Sequence, residues 1–221
     1  MTRSSPQSAQ RYPLTKILGT EANVRLLREL SRHGGQLSAP LLTARTGLAK
    51  ASVRAALAAL DAVGIVSPAG SGRTHLYSIR ADHPLSVCLG GLFEAEEARF
   101  AAIRNTVRSA AAAAGPGVLA VWIYGSVARG EDRTDSDLEI AVVATPAERA
   151  RIVDATREAL ADPAAALGFV PAVIGLEPAD SRRLAREHDP WWVSLSRDVI
   201  VLLGERPEDL AASVRGRGEA V

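Results

Sequence analysis

Between Trp122 and Val143 the chain reads WIYGSVARGEDRTDSDLEIAVV, with acids at 137 and 139 separated by one apolar residue. In a β-strand successive side chains point to opposite faces, so Asp137, Glu139 and Ala141 share one face while Leu138, Ile140 and Val142 take the other. That alternation sets two carboxylates about 6 to 7 Å apart on an otherwise apolar strand. The spacing suits divalent ions held roughly 3.5 to 4 Å from one another. Upstream, the uninterrupted apolar run from Val118 to Tyr124 reads as a strand covered on both faces. It breaks at Gly125-Ser126, where a short helix is predicted to begin. Glycine lets backbone approach a ligand closely, amides at a helix start attract phosphate, and Ser126 adds a hydroxyl. Arg129 lies one turn further on. Taken singly, a Gly-Ser turn or the acids around Ser136 would be an ordinary solvated turn. The ordered combination points to metal-bound phosphate, with Glu131, Asp132 and Arg133 as a solvent-facing loop.

In this order, Gly125-Ser126-Val127-Ala128-Arg129-Gly130 followed by Ser136-Asp137-Leu138-Glu139 resembles the signature of the polymerase β superfamily, and of its minimal nucleotidyltransferases in particular. The resemblance implies that Gly125, Ser126, Arg129 and Ser136 hold a nucleoside triphosphate, and that Asp137 and Glu139 bind Mg2+ or Mn2+ and serve as catalytic carboxylates. Such enzymes direct an acceptor hydroxyl onto the α-phosphate and release pyrophosphate. Minimal nucleotidyltransferases also often accompany a toxin-like protein partner and modify it. Two departures from the family pattern bear on turnover. The second motif acid is Glu139 where the family usually carries Asp, and the extra methylene relocates any ion it holds. The family's third carboxylate, on a later strand, has no counterpart in the candidate strand Phe169 to Leu176, FVPAVIGL, where Ala172 or a neighbour takes its place. Glu177 would substitute only if that strand were shorter or shifted, and Asp180 is a weaker substitute still.

The elements that must position these residues belong to a chain of 221 residues, longer than one typical domain of about 100 to 150. A single cysteine, Cys88, excludes an internal disulfide or cysteine metal cluster and suits a reducing cytoplasm. No apolar run approaches the roughly 20 residues of a membrane span, and Met1 to Tyr12 does not resemble a signal peptide, so no membrane association is expected. Charge divides the chain. Up to His83 there are 11 Lys and Arg against 4 acids, and from Pro84 onward 15 against 21, which together give the net +1. A basic front module is the footprint of a nucleic-acid contact, whereas an acidic back module would be repelled by phosphate.

The front module has matching organisation. Glu21 to His33 carries Val24, Leu27 and Leu30 at helical spacing and stops at Gly34-Gly35. Ser38 then caps a short helix, with Pro40 in its first turn, that ends at Gly47. A third helix, Ala49 to Val63, puts Val53, Leu57 and Leu60 on one face. Ile65-Val66 and Thr74 to Ile79 read as a hairpin. The phrases TGLAKASVRAALAALDAVGIV and GSGRTHLYSI resemble the winged helix-turn-helix domains of bacterial transcription regulators over about residues 20 to 80. The resemblance implies that the third helix enters the major groove of duplex DNA with Lys50, Ser52 and Arg54 foremost, that Arg73 and His75 of the wing lie against the backbone, and that Arg45 adds a phosphate contact. Winged helices also serve as protein-binding or dimer modules; the basic excess favours DNA.

The fold class expected is α+β: a winged helix-turn-helix over 20–82, a linker helix over 83–114 that serves as spacer or homodimer contact, and a nucleotidyltransferase-like mixed sheet flanked by helices over 115–204. Within the last, Pro146 to Ala161 is predicted helical, Phe169 to Leu176 a strand, Pro178 to Glu187 a helix, and Val199 to Leu203 a strand. Asp189-Pro190-Trp191-Trp192 should open a short helix. Its tryptophans fit core better than base stacking. His33, His83 and His188 show no metal-ligand pattern. The tail after Gly204 reads as frayed. Two functions follow from this sequence: a magnesium-dependent nucleotidyltransferase with a DNA-binding winged helix, or a winged-helix transcription regulator whose nucleotidyltransferase-like domain is an impaired nucleotide sensor or partner-binding module.

Overall fold

The computed structural model describes residues 10–70 and 75–218, with side chains as far as 213. The chain divides into two compact units, the first reaching Glu97 and the second beginning at Ala98. No helix among the described residues is long and apolar enough to cross a membrane.

The first unit contains α1 (Leu14–Ile17), α2 (Glu21–His33), β1 (Leu37–Ser38), α3 (Ala39–Thr46), α4 (Lys50–Ala62), β2 (Val66–Ala69), β3 (Leu76–Ile79) and the first turns of α5 (Ser86–Ala113). Caps fix the helix limits. Thr20 accepts a hydrogen bond from the Asn23 N–H, Ser38 accepts one from the Leu41 N–H, and α2 and α3 both end on left-handed glycines, Gly34 and Gly47. An antiparallel sheet of order β1-β3-β2 closes the unit, pairing Leu37 with Tyr77 and Val66 with Ile79. This is a winged helix-turn-helix. The short strand β1, with only two residues, carries no periodicity of its own and was not foreseen; it exists because β3 offers an edge. Leu26, Leu27, Leu30, Leu42, Val53, Leu57 and Leu60 form the core, and Leu89 and Phe93 of α5 join it. Arg28 and Arg32 of α2 pair with Glu96 and Glu97, so α5 is tied to this unit by exposed ion pairs as well as by apolar contact.

The second unit takes the rest of α5, then β4 (Val118–Tyr124), α6 (Gly125–Arg129), β5 (Leu138–Ala144), α7 (Arg149–Leu167), β6 (Pro171–Leu176), α8 (Pro178–Glu187), α9 (Pro190–Asp198), β7 (Ile200–Leu203) and α10 (Pro207–Gly218). Its mixed sheet has the order β6-β5-β4-β7, with β5 and β6 parallel and the other pairs antiparallel. Both faces are covered. Ile103 and Val107 of α5 and Ile152 and Leu160 of α7 pack with Val121, Ile123, Ile140 and Val142. On the other side Leu184, Trp192, Leu195 and Leu210 pack with Trp122, Tyr124, Ala141 and Val143. Two expectations are corrected. Helix α7 continues through Pro163 to Leu167, because burial of Leu160 and Ala164 outweighs the one amide that proline lacks. The tail is not frayed throughout: α10 begins at Pro207 and buries Leu210 and Ala211 against the sheet unit.

Leu57 is 2% exposed at the centre of the first core. Truncation by Leu57→Ala should cost about 2–5 kcal/mol, measured by urea denaturation followed by circular dichroism.

Candidate functional site

β4 and β5 pair in a register that sets Tyr124 opposite Glu139, with Ile123 opposite Ile140. The chain leaves β4 at Gly125, whose φ of 75° is left-handed, and enters α6 directly. One side chain explains why glycine stands there. Glu139 Oε2 lies 1.5 Å from where a Cβ on residue 125 would sit, and it accepts a hydrogen bond from the Ser126 N–H at 3.3 Å. The longer side chain of Glu, compared with Asp, is what lets the carboxylate reach across the strand pair and fold over the turn. Asp137 precedes the first residue of β5, Leu138, rather than lying inside the strand as expected. It is exposed and makes no hydrogen bond or ion pair among the described residues. The two acids and the Gly-Ser turn are thus brought to one end of the sheet.

The walls are aromatic. Tyr124 is 7% exposed, and Trp191 of α9 meets its ring edge-on at 5.5 Å and 87°. Burial, reinforced by the Glu139 charge, pushes the Tyr124 phenol up to about 12. Trp192 packs edge-on against Trp122 at 6.1 Å, and the Trp122 indole N–H donates to the Glu205 carbonyl at 2.9 Å. Both α9 tryptophans are therefore packing residues. Helix α9 starts with Asp189 accepting the Trp191 and Trp192 amides at its N-terminus, which orients the pair.

The polar rim is engaged with itself. The Arg129 guanidinium pairs with Glu131 at 2.8 Å. The Arg197 guanidinium holds the Asp198 carboxyl below the usual carboxylate range, and the charge of Arg129 adds to that effect. Ser136 Oγ accepts the Arg133 N–H at 2.9 Å, closing the turn before β5. Asp198 and Arg197 were not singled out in the sequence. Their neighbourhood with Arg129 depends on β7 pairing with β4, a strand order that no local pattern encodes.

Among the described residues no third carboxylate is grouped with Asp137 and Glu139. In the parallel pairing of β5 with β6, the residue opposite Glu139 is Ala172. Glu177 lies at the far end of β6, roughly 20 Å along the strand from Pro171. There it caps α8 in a reciprocal box with Asp180 and pairs with Arg149 at 3.1 Å. Neither Glu177 nor Asp180 is a substitute. Among the described residues no group of three or more His, Cys, Asp or Glu is arranged to hold a metal ion.

In the winged helix, Lys50 and Arg54 are exposed on α4, one turn apart and without an ion pair among the described residues. Ser52 sits about 200° round the helix from Lys50, beside Thr20 and Asn23 in a separate groove. The outermost α4 positions between them are Ala51, Ala55 and Ala58. Arg45 pairs with Glu29 at 2.7 Å, and His75 is exposed just before β3. Arg73 lies outside the described residues. His33 and His188 are exposed at helix ends, and His83 Nδ1 accepts the Leu85 N–H at 3.2 Å.

No family model matches the chain, and no curated protein matches it. Solved structures do. A crystal structure of the AntR antimony-specific transcriptional repressor aligns with 43% of this chain and 88% of its own at 30% identity and a TM-score of 0.34. A toxin-antitoxin with AMP-PNP aligns over 52% of this chain and 85% of its own at 18% identity and a TM-score of 0.33. A mutant of the toxin-antitoxin MntA-HpeT covers the same shares at 16% identity and a TM-score of 0.32. These superpositions are loose, and the chain's own geometry is what bears on its chemistry.

Tyr124 gives a direct probe of that geometry. Its raised value favours the neutral phenol in the fold, so the stabilisation is complete below pH 10 and is lost as pH rises through about 12. Absorbance titration of the folded protein should show a phenolate step near pH 12 that Tyr124→Phe removes. Glu139→Gln should move the step lower without restoring the ordinary value, because burial is the larger cause.

Proposed function

We propose that this chain is a winged-helix DNA-binding regulator whose nucleotidyltransferase-like unit binds a magnesium nucleoside triphosphate without turning it over. The observation that carries the reading is the Glu139 carboxylate folded over the Gly125-Ser126 turn, at the end of the sheet where Asp137 leads into β5, with Ala172 in the register position where a third acid would serve. The donor set fits the ion. Mg2+ is commonly held through one or two carboxylates together with substrate phosphates and water; Asp137 is exposed and without an ion pair among the described residues, and Glu139 lies against the turn. When bound, the ion would offset the triphosphate's charge. The Ser126 amide and hydroxyl are the donors for a phosphate oxygen once the Glu139 carboxylate turns toward its ion, and Gly125 leaves the backbone bare for that approach.

Turnover needs a base close to the acceptor hydroxyl, and the acids that the sequence offers for it are engaged at the other end of β6. A second reading, transfer of a nucleotidyl group to an acceptor hydroxyl, is favoured by the intact Gly125-Ser126 and Ser136-Asp137 steps. On the DNA side, Lys50 and Arg54 support contact with phosphates, whereas the alanines on the outer face of α4 offer little to read a base edge.

Calorimetry of the full chain should show triphosphate binding that requires Mg2+ or Mn2+ and is abolished by Asp137→Ala. Unchanged affinity in that variant would remove Asp137 from the site. Incubation with α-labelled triphosphates and cell extract should leave no labelled acceptor, and a labelled product would establish transfer instead. Duplex DNA binding should weaken linearly with the logarithm of salt, and Arg54→Ala should reduce that slope by about 1. A flat salt response would point to a protein partner.

A further inference from the structure

Helix α9 has two sides. Trp191 and Asp198 belong to the end of the sheet described above, while Trp192, Ser196 and Arg197 line a separate cavity of about 480 Å³ that α8 and α10 complete with Arg182, Ala185 and Ala211. Its volume lies within the range of small-molecule sites, roughly 300 to 1,000 Å³. The charges of the wall set the class of occupant. Arg182, at the opening, makes no ion pair or hydrogen bond among the described residues, while the other charges of the wall are committed: Arg197 to Asp198 at 2.8 Å and Glu208 to Arg206 at 3.6 Å.

The lining is otherwise apolar, formed by the Trp192 ring and the methyl groups of Ala185 and Ala211. We infer that this cavity binds a compact organic anion, with its aromatic or branched aliphatic body against Trp192 and the alanines and its carboxylate or sulfonate on the Arg182 guanidinium. A free guanidinium presents two parallel N–H donors to such a group. The metal and nucleotide residues take no part, so this site stands or falls separately from the function proposed for Asp137 and Glu139.

The test is a fluorescence titration of the full chain with two probes of similar shape, the anionic anilinonaphthalene sulfonate and the uncharged phenylnaphthylamine. Arg182, Arg186 and Ala212 are all exposed, so their variants keep the core, and circular dichroism verifies it. Arg182→Gln should weaken the sulfonate about tenfold, the size of one lost charged hydrogen bond, and leave the uncharged probe unchanged. Ala212→Trp, at the rim, should exclude both. Arg186→Gln, one turn along α8 but outside the cavity, should change neither. Failure of the wild-type chain to bind either probe, sulfonate binding that survives Arg182→Gln or Ala212→Trp, or an equal loss in Arg186→Gln would overturn the assignment.

Discussion

The pairing that sets Tyr124 against Glu139 governs the head of the sheet. Side chains alternate across a strand, so a slip of one residue would drive Glu139 into the apolar layer of α5 and α7 and turn Leu138 and Ile140 onto the opposite face, which α8, α9 and α10 cover. The central strands forbid that slip because both of their faces are covered. The polar side chains of these strands are consequently confined to the strand ends, where the Glu139 carboxylate reaches the Ser126 amide. Gly125 completes the arrangement. Its missing side chain is the space in which the Glu139 carboxylate lies, so acid and turn are matched to one another rather than merely adjacent.

Local signals made much of this legible. The unbroken apolar run of β4, the Gly-Ser break and the acid pair announced the site's components, and the capping serine and two left-handed glycines marked the helices of the first unit. The departures follow from tertiary context. Asp137 falls outside β5 because β6 first pairs at Leu138. The length of α7 and the existence of α10 depend on burial that a proline or a polar composition conceals. The absence of any acid from the candidate strand left Ala172 or a neighbour in the third position, and the pairing of β5 with β6 settles it on Ala172, whereas Glu177 could be dismissed only once its capping partners were visible. Nothing in the spacing along α9 revealed that Trp191 and Asp198 would face one region and Ser196 another.

The charge asymmetry acquires a structural meaning in the same way. Several basic residues of the first unit are neutralised locally, Arg45 by Glu29 and Arg28 and Arg32 by the glutamates of α5. The net excess is therefore smaller than a residue tally to His83 suggests, and Lys50 and Arg54 are among the described cations that no ion pair engages. Exposed pairs of this kind add little to stability. Their effect is on the field that a polyanion would meet.

All the indole rings of the chain, Trp122, Trp191 and Trp192, lie on one face of the sheet in the second unit. Emission excited through indole therefore follows the melting of that unit and is silent about the first, whose aromatic reporters are Tyr12, Tyr77 and Phe93. An unfolding curve read by fluorescence alone describes half of this molecule, and two optical probes that disagree would signify two melting bodies rather than a folding intermediate.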